Sequence, residues 1–413
     1  MFGRQPNHPG LRGRTMRRFG SHRAVVRYHL DSMQVPLLDL RRQNEPLETE
    51  ILAAFQRVLR SGHFILGDEV ERLERRAAKL AGVSFGIGMS SGTDAILVAL
   101  MALGIGPGDE VICPAFTFFA TAGCIARLGA KPIFVDSCEG CFNIDPDGIE
   151  KLITPRTRAI IPVHLFGQSA DMDVILELAK RHRLAVVEDA AQAFGAEYRG
   201  RPVCSFGDFA TVSFFPSKNL GALGDAGLLL TNNAALAEKA RLLRNHGMNP
   251  KYFHAMIGGN FRLDALQAAL LGVKLPHLAE YTAMRQQHMG EYNRALALVQ
   301  GREEVTLALP QTHQDRTHIA NQYTLRVRAG RRWNRAESPR DELRKHLQER
   351  GIASEIYYPI PLHQQECFRA GGPHLELPVA ETLAAEVISL PVFPELTPEE
   401  QEAVIKAVTE FAA

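Results

Sequence analysis

The sequence predicts an α/β protein in which a mostly parallel sheet is covered on both faces by helices. Short runs of β-branched residues alternate with helical or loop stretches between residues 110 and 230, and such alternation is typical of parallel sheets. The runs are almost entirely apolar, as expected of strands buried on both faces. With 413 residues, 46% of them hydrophobic, the chain is long enough for a sizeable core and for two domains.

Two helices precede the alternating region. Apolar residues recur at helical spacing from Leu47 to Leu59, and Ser61-Gly62 ends this helix in the usual way. A second helix is predicted from Val70 to Leu80. The strands then follow as runs at 110–113, 132–135, 158–163, 184–187 and 227–230.

A change in composition near Pro276 predicts a domain boundary. A long helix studded with polar residues begins there, and a shorter helix is predicted over 340–350. In the last helix, Thr397 is the expected cap and Glu400 completes a capping box. We therefore predict a basic extension over 1–32, a large domain over 33–275 and a smaller α+β domain over 276–413.

Charge is balanced in total but uneven along the chain. Lys and Arg number 47 against 46 Asp and Glu, which gives a net charge of +1 and argues against a dedicated nucleic-acid binder. The first 32 residues carry seven Arg and one Asp, so the remaining 381 residues carry −5. No apolar run approaches the about 20 residues of a membrane-spanning helix, so we expect no membrane partner.

The Arg-rich start allows several interpretations. Arg17-Arg18 has twin-arginine character, but only the short run Ala24-Val25-Val26 follows it, which is too short for the apolar core of an export signal. An organelle transit peptide and a phosphate-binding tail remain open. The favoured interpretation is that translation starts at Met33, where ordinary globular sequence begins.

The six cysteines do not predict a disulfide framework in a chain with this much core. A reducing, cytoplasmic location is therefore expected. Cys138 and Cys141 have redox or zinc-knuckle spacing, but no second Cys or His pair lies at a suitable distance along the chain. We predict no metal site.

Three segments carry possible site residues. Ser90 to Asp94 opens an apolar helix with small residues, which favours binding of a phosphate group. Gly86, Gly88 and Gly92 also approach a dinucleotide-binding pattern, but their spacing is one residue too long.

The second segment ends a buried strand with Glu188 and Asp189, at the edge where ligands of parallel sheets bind. Asp189 could instead cap the next helix. The third segment carries Lys218 just after a strand, between apolar and Gly residues. An isolated lysine is usually a solvated surface charge, but a nearby phosphate site and acid favour a Schiff-base lysine.

These pieces suit pyridoxal phosphate (PLP). This cofactor requires an amine for its aldehyde, a carboxylate beside its ring nitrogen, a phosphate site and a flat group against its ring. Phe118, after the 110–113 strand, could supply the flat group, although core packing is an equal alternative.

Eight segments in order resemble the DegT/DnrJ/StrS sugar aminotransferases, over roughly residues 35 to 410. They are Ser91-Gly-Thr-Asp94, Gly108-Asp-Glu-Val-Ile, Pro162-Val-His-Leu-Phe-Gly-Gln168, Glu188-Asp-Ala-Ala-Gln192, Ser213-Phe-Phe-Pro-Ser-Lys218-Asn, Gly259-Asn-Phe-Arg-Leu-Asp264, Tyr358-Pro-Ile-Pro-Leu-His363 and Leu390-Pro-Val-Phe-Pro-Glu-Leu396. The resemblance implies a fold type I PLP-dependent transferase with a seven-stranded sheet, acting on nucleotide-linked keto sugars. The chain departs from the family pattern chiefly at Phe166, where the motif often has Tyr.

The same resemblance implies roles for individual residues. Lys218 would bind the cofactor, Asp189 would meet its ring nitrogen, Gln192 its ring oxygen, and Phe118 would stack on the ring. Gly92, Thr93 and Ser213 would hold the phosphate, and Asn260 would reach it from a neighbouring subunit, which implies a homodimer. Arg262, Tyr358 and His363 are candidates for substrate binding or for structural hydrogen bonds.

The resemblance also implies L-glutamate as amino donor and favours a 3-keto sugar acceptor, with a 4-keto sugar as the near alternative. Two other classes of function remain open. One is an NAD-dependent sugar oxidoreductase, and the other is a non-enzymatic regulator or nucleic-acid binder that uses the basic extension. The nucleotide, the sugar epimer and the pathway are not predicted.

Overall fold

A computed structural model describes residues 33–299, 303–369 and 375–412. Residues 33–413 group into one compact unit. The expectations for the basic extension therefore lie outside the described residues. The proposed boundary at residue 276 falls within the larger unit and stays a prediction.

A seven-stranded sheet forms the centre of the molecule and confirms the predicted fold class. Its strand order is β1-β9-β8-β5-β4-β2-β3, and β9 is the one strand that runs antiparallel to its neighbours. The predicted 158–163 strand is shorter than expected, because its ladder ends at Ile160 and Val163 forms only an isolated bridge to Asp189. The strands are β1 Phe85–Met89, β2 Glu110–Pro114, β3 Lys131–Val135, β4 Thr157–Ile160, β5 Ala185–Asp189, β8 Phe209–Ser213 and β9 Gly227–Thr231, and β6 Glu197–Tyr198 pairs with β7 Arg201–Pro202 outside this sheet.

Helices cover both faces of the sheet. On β9, Leu229 packs into a cluster with α4, α5 and α7, whereas Leu228 and Leu230 pack into a cluster with α2, α3 and α8. This alternation follows from the two-residue period of a strand. The helices up to this point are α1 Leu40–Asn44, α2 Glu48–Ser61, α3 Asp68–Leu80, α4 Gly92–Leu103, α5 Ala120–Arg127, α6 Met172–His182, α7 Ala234–Arg244 and α8 Ala265–Lys274.

The C-terminal part builds a second, antiparallel sheet with its own core. The strands β10 Val305–Ala308, β11 Tyr323–Ala329 and β12 Val387–Leu390 pair in that order. Apolar residues of α9, α10 and α13 pack with them in one cluster. The remaining helices are α9 Leu278–Leu296, α10 Pro339–Glu349, α11 Glu366–Arg369, α12 Pro378–Glu386 and α13 Pro398–Ala412.

Helix ends follow the sequence signals. Gly62 ends α2 in the left-handed region with φ 67°, which glycine adopts without steric cost. At α13, the Glu400 carboxylate accepts from the Thr397 N–H at 3.0 Å, and the Thr397 hydroxyl accepts from the Glu400 N–H at 3.2 Å. This reciprocal pair is the predicted capping box. Among the described residues, no helix is both long and apolar enough to cross a membrane.

The parallel strands place their carboxyl ends along one edge of the sheet. Pro114 ends β2, Asp189 ends β5 and Ser213 ends β8. Lys218 follows β8 by a few residues, and α4 begins at Gly92 just after β1. The predicted site residues Asp189, Ser213, Lys218 and Gly92 therefore converge on this edge.

Candidate active site

Asp189 is a buried carboxylate held at the end of β5. Its side chain accepts a hydrogen bond from the Thr121 hydroxyl at 2.8 Å and another from the Ala191 N–H at 3.2 Å. Burial raises the pKa of Asp189, although both hydrogen bonds and the charge of Lys218 act in the opposite direction. Thr121, on α5, was not singled out from the sequence because no local pattern links it to Asp189.

Glu188, the other acid of this segment, points away from Asp189 into a hydrogen-bond network. Its carboxylate accepts four hydrogen bonds, and the residue is fully buried. Three come from backbone N–H groups of Cys204, Phe206 and Gly207, and the fourth comes from His164 Nε2 at 3.0 Å. Alternation along the strand places its two acids on opposite faces, so Glu188 supports the strand end rather than the site.

His164 links this network to Asp189. Its Nδ1 accepts from the Ala170 N–H at 3.1 Å, so the ring proton lies on Nε2, which donates to Glu188. The His164 backbone N–H donates to the Asp189 carbonyl at 3.0 Å, and the Asp189 N–H donates to the Pro162 carbonyl at 2.9 Å. Both bonds tie the end of β5 to the 162–164 segment.

Lys218 is a partly buried amine in a turn whose backbone N–H donates to the Phe215 carbonyl at 2.9 Å. Burial lowers the pKa of Lys218 to about 8, although the nearby Asp189 carboxylate acts in the opposite direction. Within the described part of the chain, no side chain pairs with its ammonium group. An amine with this pKa is available as a nucleophile near neutral pH.

The start of α4 and the end of β8 approach each other closely. A Cβ atom on Gly92 would lie 2.7 Å from the Ser213 Cβ, and one on Gly227 would lie 2.3 Å from the Ser91 carbonyl carbon. Only glycine fits at these two positions. The N–H groups of the first turn of α4, including those of Gly92 and Thr93, lack intrahelical acceptors, so the predicted phosphate residues share one surface with Ser213.

Gln192 and aromatic rings form another wall of the same region. Gln192 accepts from the Phe166 N–H at 2.6 Å and donates to the Tyr358 hydroxyl at 3.1 Å. It also lines a small cavity together with Ser213 and Lys218. Phe118 is 56% exposed, and its ring centre lies 6.1 Å from that of Tyr358. The Phe118 ring is therefore not buried in the hydrophobic core.

The three remaining predicted residues lie at different places. Arg262 bridges to Met89 at the end of β1 and donates to Asn245 Oδ1 at 2.7 Å, and its buried Nε has no partner among the described residues. Asn260 is exposed. His363 contacts Glu381 at 3.0 Å and packs near Phe134 of the edge strand β3, so it is engaged in a structural pair.

Comparisons with known proteins identify the family. The profile of the DegT/DnrJ/EryC1/StrS aminotransferase family matches residues 46–409. The chain belongs to this family. The resemblance noted from the eight sequence segments is therefore confirmed, and so is the expectation of an aminotransferase.

Individual members of the DegT/DnrJ/EryC1/StrS family align over nearly the whole length. A protein of Geobacillus stearothermophilus named "Pleiotropic regulatory protein" is 51% identical over 92% of this chain and 99% of its own. A UDP-N-acetyl-3-dehydro-alpha-D-glucosamine 3-aminotransferase of Acidithiobacillus ferrooxidans is 47% identical over 91% of this chain and 96% of its own. The crystal structure of S. venezuelae DesV in complex with a ketimine intermediate superposes with a TM-score of 0.86 at 44% identity, covering 92% of this chain and 98% of that one.

Proposed function

We propose that this DegT/DnrJ/EryC1/StrS family member is a PLP-dependent aminotransferase that moves an amino group from L-glutamate to a nucleotide-linked keto sugar. One observation carries the proposal: a lysine amine without a hydrogen-bond partner among the described residues lies near a buried carboxylate, at the carboxyl edge of the sheet. Lys218 and Asp189 are close enough for each to shift the pKa of the other. Neither an NAD-dependent oxidoreductase nor a regulator requires this pair.

The residues present fit pyridoxal phosphate. Lys218 would hold the cofactor covalently and Asp189 would face its ring nitrogen. Gly92, Thr93 and Ser213 would hold its phosphate, and the close approach of Gly92 to Ser213 supports this. Gln192 would lie beside the ring oxygen, and the exposed face of Phe118 is free to stack on the ring.

When bound, PLP withdraws electrons from the substrate carbon that carries the amine. The chain's own groups would support that chemistry in two ways. Asp189 would keep a proton on the ring nitrogen, because a buried carboxylate is stabilised by an adjacent cation. Lys218, once released from the cofactor, would carry protons between carbon atoms as a general base, for which a pKa of about 8 is well suited.

The acceptor is proposed to be a 3-keto sugar linked to a nucleotide. The name of the Acidithiobacillus relative, a 3-dehydro-glucosamine 3-aminotransferase, favours this position over the 4-keto alternative. Arg262 supports an anionic ligand, since its buried Nε lacks a partner among the described residues. Tyr358 would border the sugar because it contacts both Gln192 and the Phe118 ring.

We further propose that the enzyme acts as a cytoplasmic homodimer with both sites at the subunit interface. Phe118, Phe119 and Phe215 are about half exposed beside the site, and Phe253 and Ile257 are more exposed still. We take these exposed apolar side chains as support for an interaction surface. Asn260, which follows this exposed segment, would reach the phosphate bound by the other subunit.

The name "Pleiotropic regulatory protein" of the Geobacillus relative makes a regulator the second candidate function. A regulator that acts without catalysis would not depend on the Lys218 amine. Its binding to nucleic acid would be sensitive to salt and would disappear when residues 1–32 are deleted.

Replacement of Lys218 tests the proposal directly. Lys218→Arg keeps the positive charge but removes the nucleophilic amine, so we expect loss of the visible absorbance of the bound cofactor and a fall in amine transfer of at least about a thousandfold. Transfer from glutamate would be assayed on a panel of 3-keto and 4-keto nucleotide sugars. The control is Lys79→Arg, an exposed lysine of α3, which should behave as wild type. An active Lys218→Arg enzyme would contradict the proposal.

A further inference from the structure

Cys138 and Cys141 lie in one tight loop between β3 and Ile144. An isolated bridge joins Ser137 to Ile144 at the base of the loop. Within it, the Cys138 N–H donates to the Asn143 carbonyl at 2.8 Å, and the Phe142 N–H donates to the Cys138 carbonyl at 3.0 Å. These bonds close a turn that contains both cysteines, and the Cys138 thiol donates to the Ile144 carbonyl with 3.9 Å between sulfur and oxygen.

This pair differs electrostatically from the other buried cysteines. Burial raises the pKa of Cys113, Cys124 and Cys204, in the case of Cys124 to about 12, so these thiols are inert. The pKa of Cys141 is lowered, chiefly by the hydrogen bond from the Cys138 thiol and also by the Asn143 N–H and the charge of Arg316. The pKa of Cys138 is raised, chiefly by the same hydrogen bond and also by burial, so Cys138 becomes a nucleophile only when its proton passes to Cys141.

The two sulfur atoms also differ in exposure. Cys138 is partly exposed, whereas Cys141 is buried with 4% of its surface accessible. A reagent in solution would therefore react with Cys138 first. The buried Cys141 would then react with the modified Cys138. This is the arrangement of an attacking thiol followed by a resolving thiol.

We propose that Cys138 and Cys141 form a redox-active dithiol that closes to a disulfide by exchange with a low-molecular-weight disulfide. Cys138 Sγ attacks one sulfur of the small disulfide while its proton passes to the Cys141 thiolate, and the first small group leaves as a thiolate that takes up a proton from solvent. Cys141 Sγ then attacks Cys138 Sγ, forms the internal disulfide and expels the second small thiol, which takes up the proton. Two protein thiols are oxidised and one small disulfide is reduced to two thiols.

The residues that follow Cys141 connect the dithiol to the candidate active site. Asn143 accepts from the Leu165 N–H at 2.8 Å, and its amide donates to the Gln168 and Ser169 carbonyls at 3.1 and 3.0 Å. The Phe142 ring packs edge-on against the Phe166 ring at 5.5 Å between centres. The Phe166 N–H in turn donates to Gln192.

Both phenylalanines have positive φ, 65° at Phe142 and 58° at Phe166, a conformation that only tight surroundings maintain. Closing the disulfide requires the sulfur atoms to approach, so the Phe142 backbone must adjust and its contact with Phe166 changes. We therefore expect the closed form to hold Gln192 less well. This consequence, unlike the dithiol itself, rests on the proposed function.

The dithiol is tested on the full chain by exchange with oxidised glutathione, acid quenching, alkylation and peptide mass spectrometry. Wild type and Cys367→Ser should both form the Cys138–Cys141 disulfide. Cys141→Ser should stop at a stable glutathione adduct on Cys138, and Cys138→Ser should react at least about tenfold more slowly because Cys141 is buried. The proposal fails if wild type keeps both thiols alkylatable when the exposed Cys367 is fully modified, or if Cys141→Ser accumulates no adduct.

The connection to the site is tested by activity before and after closure. We expect a several-fold loss of amine transfer in closed wild type, recovery on reduction, and no loss in Cys138→Ser treated in the same way. Full activity of the closed form would overturn the connection. A protein that closes the disulfide but is inactive even when reduced would contradict the proposed function and leave the dithiol supported.

Discussion

Two lysines of this chain have the same lowered pKa but different surroundings. Burial lowers the pKa of both Lys218 and Lys274 to about 8. Lys218 lies near Asp189 at the carboxyl edge of the sheet, whereas Lys274 ends α8 near Glu395. A lowered pKa therefore does not by itself identify a catalytic lysine, and the position of Lys218 beside Asp189 distinguishes the two.

The lowered pKa of Lys218 predicts how the cofactor-free protein recombines with PLP. Only the neutral amine attacks the aldehyde, so the rate of recombination should rise with pH around a midpoint near 8 instead of the ordinary lysine value of 10.5. Stopped-flow absorbance between pH 6 and pH 10 measures this midpoint. Lys274→Met is the matched control and should leave it unchanged. A rate still rising steeply above pH 9 would show that Lys218 is not desolvated.

At the scale of residues, the sequence identified those charged side chains that are unusual in their local surroundings. A lysine in an apolar turn and an acid at the end of a buried strand are unusual, and the structure brings both to one edge. Thr121 and His164 were not identified, because each contacts Asp189 from a segment distant in sequence. His363 was a candidate on residue type alone, and the structure shows its ring engaged with Glu381.

At the scale of elements, strand β5 is held in place by a hydrogen-bond network around Glu188. The buried Glu188 side chain ties it to the 204–207 segment and to His164, so one side chain fixes the strand that carries Asp189. A carboxylate can accept all four hydrogen bonds because it has lone pairs on both oxygens and no proton to donate.

Glu188→Gln tests that support. The glutamine side chain has only one oxygen, so its NH₂ group would face N–H donors of the backbone or of the His164 ring. These buried donors would then lack acceptors. We expect a loss of about 2–4 kcal/mol in the free energy of unfolding. The loss would be measured by urea unfolding followed by circular dichroism. The control is Glu197→Gln, an exposed acid of β6, which should change stability by less than about 0.5 kcal/mol. Equal stability of the two variants would contradict this role.

The ends of helices could be predicted from the sequence, whereas the pairing of strands could not. The ends of α2 and α13 depend on Gly62 and on the Thr397–Glu400 pair, which act within a few residues of the chain. The antiparallel direction of β9 and the early end of β4 at Ile160 could not be predicted, because each depends on pairing with strands distant in sequence.

At the scale of the whole molecule, the near-neutral total charge combines a basic extension and an acidic body. Residues 33–413 carry −5, yet the proposed ligands are anions. Binding of the proposed ligands would therefore depend on local groups such as Lys218, Arg262 and the start of α4, and not on a general positive field. The sequence separated these two parts by composition and also named Lys218 and Arg262 as candidate site residues.

A buried charged cluster joins three parts of the larger unit. Lys274 ends α8, Arg285 lies on α9, and Glu395 precedes α13. The Lys274 Nζ, the Arg285 Nε and the Glu395 Oε2 atoms are buried without hydrogen-bond partners among the described residues. Burying polar atoms without hydrogen-bond partners lowers the free energy of unfolding. The cluster therefore destabilises the contact between these three parts.

Lys274→Met should therefore stabilise the protein, and the gain should depend on pH. The Lys274 pKa is about 8 in the folded state against 10.5 ordinarily, so between these values the unfolded chain binds more protons. Wild-type stability should then rise with pH through this window, by up to about 3 kcal/mol from this residue. The variant lacks this rise, so its gain in the free energy of unfolding over wild type should be largest near pH 7 and should shrink at pH 9 and above.

Urea unfolding of both proteins at pH 7, 8 and 9 measures the difference in stability. In the cofactor-free form, Lys218 contributes equally to the pH dependence of both proteins. A variant less stable than wild type at pH 7 would show that the charge of Lys274 is needed by Glu395.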